Sequence, residues 1–308
     1  MTVQWSEKFK GVIVAMNSCY DAEGRVSPDA VQKLTRFLIG KGVDGLYVGG
    51  STGEGLLQSV EERKLVLEAA IEASAGEVPI IAHVGALATQ DSIELAVHAE
   101  KAGAAALSAV APFYYGYSED AVGRHWTAIA DSTDLPFIIY HIPATTGFSL
   151  TKGLLAQLLD NPKFIGIKTT AASTYELQQF KAMGGERFLM FNGPDEQYLA
   201  GRIMGADAGI GGTYGIMPEL FVRLEQEYAA GRIEAARQVQ FCINDIIADL
   251  LTLPVYAALK ALIRRRGVDC GDVRAPLPKL SSGHAEKIDA LHAKIELAIR
   301  KFASVSML

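Results

Sequence analysis

The chain has 308 residues, 49% of them hydrophobic, and a formal net charge of −6 with acids and bases interleaved. That length and apolar content suit one large α/β domain, and with no basic block, zinc-finger spacing or RNA-binding signature, nucleic acid is not an expected partner. No run approaches the roughly 18 apolar residues of a membrane span. The N-terminal MTVQWSEKFKG has no secretion-signal core, and Cys19, Cys242 and Cys270 are scattered. A soluble cytoplasmic protein with no disulfide framework and no metal site is therefore expected.

The first apolar run, GVIVAM (11–16), precedes Ser27-Pro28, an N-cap with proline at the first helical position, and then AVQKLTRFLIGKG. GLYVGG (45–50) precedes Ser59 and Glu62, a capping box ahead of RKLVLEAAIEAS. PIIAHV (79–84) precedes Thr89-Gln90-Asp91, which opens SIELAVHAEKAGA, with Gly103 placed as C-cap. AALSAV (105–110), PFIIYH (136–141), FIGIKT (164–169), FLMFNG (188–193) and AGIGG (208–212) follow. These runs are continuous rather than alternating, the pattern of strands buried on both faces in a parallel sheet. Eight strands alternating with helices predict a (β/α)8 TIM barrel over residues 1–230. An open doubly wound sheet is the alternative, but eight regular units without GxGxxG favour the barrel. Beyond residue 230 the strand signal stops. RIEAARQVQFCINDIIADLL, VYAALKALIRRRG and HAEKIDALHAKIELAIRKF predict a C-terminal helical extension over 231–308, packed on the barrel. Pro276 and Pro278 mark a loop within it, and RRRG (264–267) reads as a solvated helix end.

Barrel enzymes place their chemistry at the C-terminal ends of the strands. The second strand ends in GGSTGEG (49–55), where Ser51 and Thr52 sit among glycines that let backbone approach a ligand. Small hydroxyls beside bare amides suit a carboxylate or phosphate, although an ordinary Gly-rich turn reads the same way. The fifth strand ends in Tyr140-His141, the sixth carries Lys168, and the seventh ends in Asn192-Gly193 followed by Asp195-Glu196. Burial makes an ammonium costly and favours the neutral amine, the nucleophile that forms a Schiff base with a ketone. A neighbouring phenol can shuttle protons. A lone strand lysine more often snorkels or pairs with an acid, and a lone tyrosine is more often core. The two on adjacent barrel strands tip the reading toward a Schiff-base site. Asp195 and Glu196 serve equally well as helix-capping acids, and His83 and His141 read as satisfied core histidines.

The motifs GGSTGEG, YHIPATTG (140–147), GIKTT (166–170), FNGPDE (191–196) and GADAGIGGTYGIMPE (205–219) together resemble the dihydrodipicolinate synthase/N-acetylneuraminate lyase family across nearly the whole chain. The resemblance implies a class I aldolase on a TIM barrel, commonly a homotetramer, with no added cofactor. It implies Lys168 as the imine-forming residue and Tyr140 as the proton shuttle. Ser51 and Thr52 would hold the substrate carboxylate. Thr170, Gly193, Asp195 and Glu196 would meet a polyhydroxyl tail, and Tyr114 would be an aromatic that crosses a subunit interface. The G-S-T-G-E turn, Thr145 in place of the synthases' arginine, and N-G-x-D-E resemble the sialic-acid lyase branch. The implied substrates are a 2-oxo sugar acid and pyruvate. Gly212, where lyases often carry serine, and Ser18-Cys19-Tyr20 in the first-strand turn depart from the pattern. The alternatives are a 2-keto-3-deoxy sugar-acid aldolase or dehydratase, a dihydrodipicolinate synthase, and a catalytically retired barrel that binds a 2-oxo acid.

Overall fold

Residues 5–303 are described by the structure, a computed structural model. Eight strands close into a barrel: β1 (Gly11–Ala15), β2 (Gly45–Val48), β3 (Ile80–His83), β4 (Ala106–Val110), β5 (Phe137–His141), β6 (Phe164–Thr169), β7 (Leu189–Asn192) and β8 (Ala208–Gly211). Every neighbouring pair is parallel, and β8 returns to β1. Each strand lies in a predicted run, although pairing stops short of the trailing glycines Gly49-Gly50 and Gly212. The pleat explains the continuous apolar runs. One set of side chains, including Ile13, Tyr47, Ile81, Ile138, Leu189 and Ile210, fills the lumen above Phe9. The alternate set, including Val12, Val14, Leu46, Ile139, Ile167 and Met190, packs under the helices.

Local chemistry starts the helices where expected. Ser27 accepts from the Ala30 N–H ahead of helix 28–39, and Ser59 and Glu62 form the capping box of helix 60–74. Helix 89–102 ends at Gly103 with φ 97°, but its N-cap is Ala88, which has no side-chain acceptor. The Thr89 hydroxyl instead pairs with His125 Nδ1 at 2.9 Å. Helices 119–131, 152–158, 174–184, 198–203 and 218–229 complete the outer layer.

The later helices, 233–250, 255–265 and 285–302, put Ile243, Ile246, Leu259, Leu262 and Ile295 into the same apolar cluster as the barrel helices. Each such side chain contributes about 1.5–3 kcal/mol on burial. Among the described residues no single helix is long and apolar enough to cross a membrane; helices 233–250 and 255–265, bent by 116°, pass that test only as a pair. The expectation of a solvated RRRG end is corrected in part. Arg264 and Arg265 are exposed, but the Arg266 side chain is 6% exposed, donates to the Ile216 carbonyl at 2.8 Å and pairs with Glu219. A fork of donors facing both a carboxylate and an orphan carbonyl holds it inside. All three cysteines are free.

Candidate active site

A cavity of about 620 Å³ opens at the C-terminal end of the strands. On its floor, register pairs Tyr140 of β5 with Lys168 of β6. Both point into the lumen and are nearly buried, at 3% and 5% exposure. Lys168 Nζ lies 3.8 Å from the centre of the Tyr140 ring and 4.7 Å from that of Tyr47. It has no carboxylate within ion-pair distance among the described residues, so the ordinary fate of a strand lysine is not its fate here. Burial alone pushes the Tyr140 phenol up. The Lys168 ammonium outweighs this, helped by Ser51 and Thr170, and holds the phenol below its ordinary value. Tyr47 sits beneath, edge-on to Tyr140 at 6.1 Å, with its hydroxyl bonded to Ser108 at 3.0 Å.

The turn after β2 forms one wall. A Cβ at position 55 would overlap the Gly49 carbonyl, so glycine is required for this fold-back. The Glu54 and Gly55 amides are already taken by the Ser51 and Gly50 carbonyls, at 3.0 and 3.2 Å. Ser51 and Thr52 line the cavity with Lys168 and Tyr140. Two small hydroxyls beside a lysine and a phenol can receive a carboxylate while the amine meets the adjacent ketone.

The opposite wall comes from the loops after β6, β7 and β8. The Gly193 N–H donates to the Thr169 carbonyl at 2.8 Å, and a Cβ on Gly193 would overlap the Thr170 hydroxyl. That hydroxyl is buried near the Tyr140 phenol but makes no well-aligned hydrogen bond among the described residues. Asp195 does more than cap its own turn. Its Oδ2 accepts from Thr213 N–H at 2.7 Å and Thr213 Oγ1 at 2.6 Å, joining the β7 and β8 loops. Burial raises its pKa to about 6, against the lowering effect of the Thr213 bonds. Glu196 is exposed and faces the cavity, leaving it the freer of the two acids. Gln240 of helix 233–250 donates to the Asp195 carbonyl at 3.2 Å, and Asn244 donates to that of Glu196 at 3.1 Å.

Thus Lys168, Tyr140, Ser51, Thr52, Thr170, Gly193, Asp195 and Glu196 share one cavity. Tyr114 does not line it; it is 85% exposed, at φ 87°, against Tyr115. Thr145 is exposed and also outside the lining. His83 is a satisfied neutral ring: Nδ1 faces the Gly49 carbonyl at 3.0 Å, and Nε2 accepts from Val110 N–H at 3.3 Å. His141 faces Phe180, outside the lumen, and burial lowers its pKa to about 4. Sequence reading missed Val255, Tyr256 and Leu259, which close the cavity from helix 255–265. It also missed Glu54, whose carboxylate is buried against Lys260 of that helix. The acid inside an apolar, glycine-rich turn was the available signal.

The model of the dihydrodipicolinate synthetase family matches residues 8–295. The chain belongs to that family. Among family relatives, an N-acetylneuraminate lyase of Mediterraneibacter gnavus is 42% identical over 305 residues, covering 98% of this chain and 97% of its own. One of Rhizobium meliloti is 40% identical over 274 residues, covering 89% and 91%. A solved structure of a Ruminococcus gnavus sialic acid aldolase, described as its catalytic lysine mutant, superposes with a TM-score of 0.95. That pair shares 42% identity over 96% of this chain and 98% of the other.

Proposed function

We propose that the protein is an N-acetylneuraminate lyase: a carbon–carbon lyase that cleaves sialic acid reversibly to pyruvate and N-acetylmannosamine through a Schiff base. The observation that carries the reading is Lys168 stacked 3.8 Å from the Tyr140 ring, with no carboxylate in ion-pair distance among the described residues, on the floor of a cavity with hydroxyls on one wall and two acids on the other. The Lys168 ammonium passes a proton to Tyr140, the freed amine attacks the C2 ketone of the open-chain acid, and the phenol returns that proton as the carbinolamine oxygen leaves as water, so a protonated imine and a phenolate remain. Tyr140 takes the C4 hydroxyl proton, the C3–C4 bond breaks, and its electron pair flows into the imine to give an enamine. The aldehyde product leaves. Tyr140 gives its proton to C3, and water hydrolyses the resulting protonated imine to release pyruvate and the lysine ammonium, restoring the starting state. Ser51 and Thr52 hold the carboxylate. Thr170, Gly193, Asp195 and Glu196 orient the tail, adjacent carboxylates being good acceptors for several hydroxyls.

The same reading makes the enzyme a cytoplasmic homotetramer, in which Tyr114, exposed on its own subunit, reaches the site of a neighbour. It also treats residues 231–308 as an extension of one barrel rather than a second domain.

Gly212 favours a second reading, a lyase for a different 2-oxo sugar acid. A Cβ there would sit 2.5 Å from Thr52 Oγ1, so no hydroxyl-bearing side chain contacts the tail from that position.

Incubation with borohydride and either pyruvate or N-acetylneuraminate, followed by peptide mass spectrometry, tests both. A pyruvate-sized adduct on Lys168 from each substrate is expected. An adduct from pyruvate alone redirects the search to other sugar acids, and none from either overturns the aldolase assignment.

A further inference from the structure

The turn that carries Ser51 and Thr52 does not hold its shape unaided. Its last residues include Glu54 at φ 54°, a left-handed conformation that costs a non-glycine residue about 1 kcal/mol or more and persists only where surroundings enforce it. The Glu54 N–H closes the turn on the Ser51 carbonyl at 3.0 Å, so any movement of Glu54 carries Ser51 with it.

The Glu54 side chain is fully buried, and an isolated buried carboxylate is strongly disfavoured. Two groups of the extension accept it. Lys260 Nζ lies 2.6 Å from Oε1, a charge contact rather than an aligned hydrogen bond, and the Arg274 N–H donates to Oε2 at 2.8 Å. Lys260 is 2% exposed at its side chain and is held in turn by the Asp272 carbonyl at 2.9 Å and the Tyr20 ring at 4.1 Å. The helix that bears Lys260 also presents Val255, Tyr256 and Leu259 to the cavity.

We propose that the buried Glu54–Lys260 pair positions the carboxylate-binding turn, locking it to helix 255–265 so that Ser51 and Thr52 stand at a set distance from Lys168. Neither residue touches substrate; both act through the turn. This rests on the reading of Ser51 and Thr52 as carboxylate ligands. A buried pair of this kind is weak evidence of a stability role, since apolar replacements of both partners often fold equally well, whereas removing one partner strands a charge.

The test measures the pyruvate concentration that half-saturates borohydride trapping, the KM and kcat for N-acetylneuraminate, and the melting temperature. The variants are Lys260→Met and Glu54→Gln/Lys260→Met. The double variant removes both charges, so it isolates positioning from the burden of a stranded carboxylate. It is expected to melt near the wild type. Its half-saturating pyruvate and its KM should rise together by about tenfold, because both ligands present the same carboxylate, with kcat within about threefold. Lys260→Met should show the same shift with a lowered melting temperature. Restoration of wild-type KM and pyruvate half-saturation in the double variant overturns the proposal and leaves the pair purely structural. Wild-type protein that traps no pyruvate at all overturns the underlying aldolase reading, and the proposal with it.

Discussion

The two ends of the barrel lumen come from the same eight strands and the same pleat, yet they are opposites in chemistry. At the lower end Ile13, Ile138, Leu189 and Ala208 close over Phe9, all at 0% exposure. At the upper end the same alternation delivers Tyr140 and Lys168, equally inward but facing the cavity. Two register positions, one full pleat, separate Leu189, opposite Gly166, from Phe191, opposite Lys168. The difference teaches that the apolar layers serve as a close-packed footing shielded from solvent. On that footing Lys168, with no carboxylate in ion-pair distance among the described residues, sits against a phenol. Loops then complete the site, because loops tolerate the polar groups a closed lumen does not.

Substitutions at the two ends should therefore fail in different ways. The largest effect is expected for Lys168→Ala: loss of the borohydride adduct and of lyase activity, with melting little changed. An adduct at wild-type yield in that variant would remove Lys168 from its role. Tyr140→Phe should still trap pyruvate but turn over about 10²–10⁴-fold more slowly, the usual span for a positioned acid–base group. Unchanged turnover would assign the phenol to packing. At the lower end, Leu189→Ala should cost about 2–5 kcal/mol of stability in denaturant titrations and leave turnover per folded molecule within about threefold. A large loss of kcat without destabilisation would erase the distinction between the two ends.

The smallest effect concerns pH. Asp195 has its pKa raised from 3.8 to about 6 by burial. Between those values the native state holds a proton that the unfolded chain has lost, so stability from this group falls as pH rises through the window. Asp195→Asn should flatten that slope, by an amount on the order of 1–3 kcal/mol between pH 4 and 6.5. Parallel unfolding profiles for variant and wild type would argue that the Thr213 bonds already offset the burial.

Much of this was legible in the chain itself. The barrel was readable because strands buried on both faces must be apolar at every position, and because Ser27, Ser59 and Gly103 punctuate the helices by local hydrogen bonding. Lys168 and Tyr140 stood out as polar residues at the ends of such strands. Ser51, Thr52, Gly193 and Glu196 were readable as strand-end positions, motif resemblance added Thr170, and the cavity gathers all five. Asp195 was only half legible, since nothing local distinguishes a helix-capping acid from one bonded to Thr213, eighteen residues on.

Periodicity and capping, being local, let the sequence by itself determine the barrel, its helical extension, and which strands carry an amine and a phenol. Only the tertiary structure decided that Lys168 meets the face of Tyr140, that Tyr114 stays out of its own cavity, and that Tyr256 closes the mouth. It alone paired Glu54 with Lys260. Such contacts depend on where chain segments far apart in sequence come to rest, and a burial pattern repeating every two or four residues carries no record of that distance.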